Sequence, residues 1–258
     1  MVSYSCERDL RTDSDYQPAA NTTHASRTLM FSELSHLLEF VPQGATFADY
    51  RDAVLSENIL MKETQENRRK AYRHLKNLYE FDSSNVLFKS FRYFWDADPD
   101  ARAQLAIIYA VFSDILLRST AEFILSKEKG QVVSPAELSA IISTTFPERY
   151  SERSRESIGR NCASSWTQSG HLKGQVKKVR GKPTLTVGGT AFALLLGDMT
   201  GVRGEPLFST MWAKLLDADR AELDEVTFYA NKRGWLRYKH IGSVVEISFR
   251  DLFSYLGS

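Results

Sequence analysis

Apolar residues recur at steps of three and four along the first half of the chain, which is the spacing of one face of a helix. The stretch LMFSELSHLLEF (29–40) has this spacing until a proline and a glycine break it, and a further helix is expected from near Phe47. Behind Thr64, a capping residue, the spacing returns in a stripe of five residues. They are Ala71, Tyr72, Leu75, Leu78 and Tyr79. The pattern predicts a helical N-terminal domain over residues 28–130.

Two prolines mark later helix starts, since proline is favoured in the first turn of a helix. Pro99 opens an expected long helix from about Ala101 to Lys127, and Pro135 opens a shorter one. The long helix contains the apolar run LAIIYAVFSDILL (105–117), which is shorter than a bilayer requires and carries an aspartate. We therefore expect a buried core helix there and no membrane association.

A polar helix with one apolar face is predicted in the middle of the chain. Ser151 or Ser154 can cap it, and Ile158, Cys162 and Trp166 then fall four residues apart on one side. Because Trp166 shares this stripe, we assign its ring to the core and not to stacking on a base.

A basic hairpin follows this helix. Gly170 is expected to stop the helix in a left-handed conformation, and two extended segments, 172–179 and 184–187, flank the sequence RGKP, which suits a turn. A short buried helix is expected from Thr190. Helix and hairpin together predict a winged-helix-like basic domain at residues 131–200.

The last third of the chain repeats the arrangement. A helix ends at Gly234, and the residues that follow predict a strand, a glycine turn and a second strand. The tetrapeptides GHLK (170–173) and GWLR (234–237) share a glycine, a ring, a leucine and a cation, which indicates a weak internal repeat. We predict a second helix-plus-hairpin unit at residues 201–258, packed on the former one.

The first 27 residues are rich in Ser, Thr and Asp and have little apolar periodicity. This composition predicts a flexible or loosely docked N-terminal arm over residues 1–27. The predicted fold class is therefore mainly α, with a helical N-terminal half and winged-helix-like units that carry small β-hairpins.

Positive charge is concentrated in one segment of the chain. The formal net charge of the 258 residues is only +1. Between Ser151 and Thr190, however, eight cations stand against Glu152 and Glu156, so this segment carries +6 and the remainder carries −5. Segregated positive charge is what attraction to a phosphate backbone needs.

The predicted DNA contacts come from the outward face of the helix after Ser151, from the hairpin beside it, and from a basic helix after Thr64. They are Arg68, Arg69, Arg73, Arg153, Arg160, Asn161, Ser164, Thr167, Gln168, Lys173, Lys177, Lys178, Arg180 and Lys182. Two alternatives stay open: hairpin lysines can merely protect a sheet edge, and the arginines after Thr64 can be the solvated face of an amphipathic helix. The basic residues of the last unit lie in an acidic segment, so that unit is expected to pack or to bind a partner.

Motifs that carry a reaction mechanism are absent from the sequence. The five histidines and two cysteines have no metal-ligand spacing, and no phosphate-binding glycine loop, dinucleotide-binding glycine pattern or serine-hydrolase elbow occurs. We therefore expect no catalysis, no metal, no cofactor and no small-molecule substrate. The scarce cysteines and the lack of a signal-peptide pattern predict a reduced, cytoplasmic protein.

Three stretches, in their order, resemble the BrxA family of BREX bacteriophage-defence systems. They are VLSENILMKETQENRRKAYRHLKNLY (54–79), LAIIYAVFSDILLRSTAEFIL (105–125) and SERSRESIGRNCASSWTQSGHLKG (151–174). The resemblance implies a small, mainly helical, non-catalytic protein that binds double-stranded DNA, with Arg68, Arg69, Arg160 and the Gly170 stop in its DNA-contacting framework. The glycine-rich opening of many members is missing here, and the chain after about Gly201 has no counterpart in the resemblance.

The sequence thus predicts a non-catalytic protein that binds double-stranded DNA within a prokaryotic phage-defence complex, beside other proteins of the same system. The alternatives are a helical protein–protein adaptor of such a complex, a winged-helix transcriptional regulator, and an RNA-binding protein, although the aromatic motifs of common single-strand binders are missing.

Overall fold

The structure is a computed structural model that describes residues 16–242 and 244–257. Its helices are α1 (Phe31–Phe40), α2 (Phe47–Leu55), α3 (Gln65–Tyr79), α4 (Val86–Ala97), α5 (Arg102–Ser113), α6 (Ile115–Ser119), α7 (Ala121–Ser126), α8 (Pro135–Thr145), α9 (Glu152–Gln168), α10 (Val187–Met199), α11 (Met211–Lys214), α12 (Arg220–Lys232) and α13 (Arg250–Gly257). The strands are β1 (Leu172–Lys173), β2 (Val179–Arg180), β3 (Arg237–Ile241) and β4 (Val244–Ser248), which form two antiparallel hairpins. The protein is mainly α with small β-hairpins, as predicted.

Local capping signals explain where several helices begin. The Thr64 hydroxyl accepts from the amide of Asn67 at the start of α3, and the Ser151 hydroxyl accepts from Ser154 N at the start of α9. Ser134 forms a complete capping box ahead of α8. Each cap satisfies a backbone amide that has no partner within its helix, so these starts follow from the local sequence.

The long helix predicted from Ala101 to Lys127 is wrong, because α5, α6 and α7 replace it. The break lies at Asp114, whose backbone is extended and whose carboxylate accepts from the amides of Leu116 (2.9 Å) and Leu117 (3.0 Å). The same carboxylate accepts from the amide of His24 at 3.0 Å. Asp114 therefore caps α6 and also binds the segment before α1. The apolar spacing continues through Asp114, so the sequence pattern alone did not show the helix break.

The segment just before α1 corrects the predicted arm. Residues 16–27 are packed against the helices, and Thr23 and His24 lie in a 3₁₀ turn with only 3% and 0% of their surface exposed. Asn21 pairs with Asp114 in an isolated parallel bridge. Burial and backbone pairing fix this segment despite its polar composition. The prediction for residues 1–15 lies outside the described residues.

One core runs through the described chain. The buried apolar residues form a single cluster from Leu29 to Leu252, which crosses the predicted boundaries after residues 130 and 200. Helix α5 is buried from Gln104 to Ser113, and α10 packs against α4, α5, α11 and α12. No helix within the described ranges is long and apolar enough to cross a membrane.

Helices α8 and α9 and the first hairpin form a winged-helix-like unit. Val132, just before α8, pairs antiparallel with Val179 of β2, and β2 pairs with β1, so three short extended segments lie side by side. The chain order is one extended residue, two helices, a strand, a loop and a returning strand. Residues 174–178, which connect β1 to β2, form the wing loop of this unit.

The predicted turn of this hairpin is wrong. The strands are two residues long and turn at the wing loop, where Gly174 has a φ of +99°, and not at RGKP. The amide of Arg180 donates to Gln131 O at 2.7 Å, and the amide of Gly181 donates to His171 O at 2.8 Å. These bonds carry the RGKP segment into the body of the protein, where Gly181 is buried.

The last unit has the predicted helix and hairpin. Strands β3 and β4 pair from Arg237↔Ser248 to Ile241↔Val244 beside α12. The glycines after α9 and α12 both have positive φ, +82° at Gly170 and +73° at Gly234. The glycine stops predicted from the two related tetrapeptides are therefore confirmed.

Candidate nucleic-acid interface

The first half of α9 presents its polar face to solvent. Arg153 and Arg160 are exposed and lie seven residues apart, which places them on one side of the helix. Glu152 and Glu156, in the same two turns, are also exposed, and Arg160 Nη1 lies 3.8 Å from a carboxylate oxygen of Glu156. Such an exposed pair is weak, so the Arg160 guanidinium is free to turn toward a phosphate.

The second half of α9 is partly covered by the segment before α1 and by the first residue of α1, which corrects the predicted outward face. Asn161 Nδ2 donates to His24 O at 2.9 Å, and the Gln168 side-chain oxygen accepts from the amide of Phe31 at 3.1 Å. Ser164 and Thr167 are half-buried. The two amide side chains expected to read base edges therefore bind the protein's own backbone.

A buried serine–histidine–aspartate cluster fastens this contact. His24 Nε2 lies 2.9 Å from Ser165 Oγ, and His24 Nδ1 lies 3.2 Å from Asp114 Oδ2. Burial raises the pKa of Asp114, but His24 outweighs this effect and the net pKa is lowered. All three residues are 0% exposed, and Ser165 Oγ also accepts from the amide of Leu29 at 2.8 Å. The fully buried cluster joins the segment before α1 to α9 and to the start of α6.

The wing loop carries exposed cations. Lys173 at its base and Lys177 within it are exposed, and Val176 at its tip is 97% exposed. Lys178 Nζ instead donates to Thr167 Oγ1 at 3.0 Å, and partial burial lowers its pKa. Lys178 thus ties the wing loop to the second half of α9, while Lys173 and Lys177 remain available to a partner.

The prediction that Arg180 contacts DNA is also wrong, because its side chain lies in the core. The residue is 3% exposed, and its guanidinium lies 2.8 Å from Asp217 Oδ2. It also donates to three backbone carbonyls, those of Ile124 (2.8 Å), His171 (3.2 Å) and Gly181. A fully engaged, buried guanidinium cannot contact phosphate.

Lys182 is also engaged within the protein. Its ammonium lies 2.7 Å from a carboxylate oxygen of Glu222 in the first turn of α12, and that hydrogen bond raises the pKa of Lys182. Since Asp217 and Glu222 neutralise Arg180 and Lys182, the +6 of residues 151–190 falls to +4. The charge that remains lies on α9 and the wing loop.

The basic helix α3 also has one predicted DNA contact that is engaged within the protein and two that are exposed. Arg68 donates to Leu55 O (3.3 Å) and to Lys62 O (3.4 Å), which holds the loop between α2 and α3. Arg69 and Arg73 are exposed. Both α3 and α9 contact the 3₁₀ turn around His24, which lies between them. The alternative of a solvated helix face therefore stays open for Arg69 and Arg73.

One cation of the unit was missed in the sequence. Arg149, in the turn between α8 and α9, is exposed, and its guanidinium lies 5.8 Å and 5.5 Å from the ring centroids of Phe146 and Tyr150. These rings hold the guanidinium at the entrance to α9. A cation just before the cap of a predicted DNA-contacting helix is the signal that could have identified it.

No protein family model and no curated protein matches this chain. The described residues also contain no group of three or more His, Cys, Asp or Glu side chains arranged to hold a metal ion.

Proposed function

We propose that the protein binds double-stranded DNA non-catalytically through its first winged-helix-like unit. The observation that carries this proposal is that five exposed cations belong to the parts of this unit that meet DNA in a helix-and-wing arrangement. They are Arg149, Arg153, Arg160, Lys173 and Lys177. Their positions before α9, along its first half and at the wing loop suit contacts to phosphates on either side of a groove.

The proposed binding has modest sequence preference. Asn161 and Gln168, the two amides best suited to adenine, are occupied by the backbone of the N-terminal segment. The exposed first half of α9 instead carries arginines and glutamates. Phosphate contacts without a set of base-reading amides favour a general duplex binder over a regulator with one operator.

The role in phage defence follows from the resemblance of three sequence stretches to the BrxA family, and it remains part of the proposal. Within it, the protein binds duplex DNA in the cytoplasm and acts with other proteins of the same defence system. A matching assay compares phage plating on cells that carry the complete defence system with wild-type protein or with a variant that does not bind DNA.

The binding test is fluorescence anisotropy with a labelled random-sequence duplex between 50 and 200 mM salt. With up to five phosphate contacts, the slope of log K against log salt should reach about −4.5. The double variant K173E/K177E should bind at least tenfold more weakly and flatten the slope by about 1.8, the share of two contacts.

The matched control is K214E/K239E, which makes the same charge change at exposed positions of the last unit. This control should bind within about threefold of wild type, since its lysines lie outside the proposed interface. Equal losses in both variants, or none in K173E/K177E, would refute the assignment to the wing loop. Parallel single-stranded DNA and RNA probes test the RNA alternative.

A protein–protein adaptor is the second candidate, and one observation favours it. The last unit exposes apolar side chains at the tip of its hairpin, with Ile241 75% and Val244 67% exposed. Exposed apolar side chains that lie side by side can form a protein–protein interaction site, and they offer nothing to a phosphate. Absence of binding to all three nucleic-acid probes at low salt would make the adaptor the leading function.

A further inference from the structure

Helix α12 exposes aromatic side chains on the face that points away from the core. Its buried residues, Leu223, Thr227 and Ala230, face α10 and the hairpin. On the other side, Phe228 is 47% and Tyr229 is 46% exposed. Two large adjacent rings left half in water form an exposed apolar patch, a feature that can mark an interaction site.

Charged residues flank these two rings symmetrically. Glu225 and Lys232, both exposed, lie seven residues apart and share the helix face with Phe228 and Tyr229. Lys232 Nζ lies 4.6 Å from the centroid of the Phe228 ring, which keeps this ammonium on the aromatic face. Among the residues that the structure describes, Asp224 pairs with Arg220, whereas the adjacent Glu225 forms no ion pair. Along the helix, this face therefore presents a carboxylate, two aromatic rings and an ammonium group in that order.

We propose that this face of α12 binds the same face of a second copy of the chain, in an antiparallel pair around a twofold axis between Phe228 and Tyr229. Glu225 and Lys232 each lie about 5 Å along the helix from this axis, at a rise of about 1.5 Å per residue. An antiparallel partner therefore places its Lys232 opposite Glu225, and its Glu225 opposite Lys232. The surface is complementary to itself, as a twofold interface requires.

Other occupants fit this face less well. A parallel copy would place Glu225 against Glu225 and Lys232 against Lys232, which repel. In the last unit, α12 precedes its hairpin as α9 does in the first unit. A phosphate backbone nevertheless fits α12 poorly, because it would meet the carboxylate of Glu225 and two aromatic rings. The self-association does not depend on DNA binding, and it gives a dimer with two copies of the first winged-helix-like unit.

The interface is small, because it centres on one helix from each copy. Interfaces below about 1,200 Å² are typical of weak, reversible association. We therefore expect a monomer–dimer equilibrium in which the weight-average mass rises from 29.3 kDa toward twice that value as the protein concentration increases.

The experiment is sedimentation equilibrium of the full chain without DNA, with charge reversals at two exposed positions. E225K alone places lysine opposite lysine at both ends of the interface, and K232E alone places glutamate opposite glutamate. Each should weaken dimerisation at least tenfold. The two variants mixed in equal amounts should dimerise again, because every facing pair is then opposite in charge, and E225K/K232E should dimerise as wild type does.

Circular dichroism and thermal melting establish that the variants fold, and E225Q separates charge repulsion from simple loss of the carboxylate. E225Q should lose less affinity than E225K. Three results would overturn the proposal: a wild type that stays monomeric to several hundred micromolar, single reversals that dimerise normally, or a mixture that fails to associate. If this face bound only a protein of different sequence, mixing E225K with K232E would not restore dimerisation.

Discussion

Replacing Arg180 by methionine tests whether this arginine is a core residue or a DNA contact. Methionine keeps most of the apolar stem and removes the guanidinium. The change would leave Asp217 without its ion-pair partner at 2.8 Å, and Ile124 O without its donor at 2.8 Å. The Asp217 side chain is 25% exposed, so water can hydrate it in part.

The expected loss is large because the Arg180 side chain is 2% exposed and its guanidinium is fully engaged. Removing one partner of a buried ion pair costs about 3–5 kcal/mol, since it leaves the other charge and the carbonyls uncompensated. For a chain of this length, that loss corresponds to a decrease in Tm of roughly 6–20 °C. Asp217→Asn should cost less, and the double variant should reveal a coupling of about 0.5–3 kcal/mol.

Chemical denaturation and thermal melting measure the stability, and anisotropy with the random duplex measures binding by the folded protein. Lys177→Met is the matched control, because Lys177 is exposed on the wing loop. We expect Arg180→Met to lose stability and keep its DNA affinity within twofold, and Lys177→Met to do the reverse. A loss below about 1 kcal/mol for Arg180→Met, together with weaker DNA binding, would refute its placement in the core.

Three further predictions follow from buried contacts. Gly159→Ala should cost about 1–3 kcal/mol in denaturant titration, because its Cβ would lie 2.3 Å from Pro135 O between α8 and α9; unchanged stability would contradict this close approach. Burial lowers the pKa of His171 from 6.5 to about 4, so the unfolded chain takes up a proton at a higher pH than the folded protein does. The contribution of His171 to the free energy of unfolding is therefore complete above pH 6.5, and about 3 kcal/mol of it is lost as the pH decreases toward 4. His171→Gln should flatten the pH dependence of the free energy of unfolding in this window, and an identical profile in the variant would exclude the residue as a cause. The amide of His24 donates a hydrogen bond to the Asp114 carboxylate at 3.0 Å, so Asp114→Asn should speed hydrogen exchange at this amide and leave exchange in α12 unchanged. Uniform acceleration across the protein would indicate global destabilisation instead.

The resulting division of the basic segment has a functional meaning. Arg180 and Lys182 join the first unit to the last one through Asp217 and Glu222. Lys173 and Lys177 remain exposed. Adjacent cations in the sequence thus serve two purposes, and only those on the outside of the unit belong to the proposed DNA surface.

Most helices could be predicted from the sequence because their determinants are local. The hydroxyls of Thr64 and Ser151 bind amides three residues ahead, and the stripe of Ile158, Cys162 and Trp166 is buried as its spacing predicts. Capping and helical periodicity depend on neighbours within about one turn, so a single sequence contains the information needed to place them.

The tertiary structure alone decided which polar residues of the predicted interface are available. Asn161 and Gln168 have side chains of the kind that read DNA bases, yet they bind the backbone of His24 and of Phe31. Arg180 lies beside the wing cations in the sequence, yet its side chain pairs with Asp217. The sequence by itself determined most helix starts, the glycine stops and the concentration of positive charge, but not the break at Asp114. Whether a charge or an amide faces solvent or the core depends on partners far away in the chain, and only folding brings those partners together.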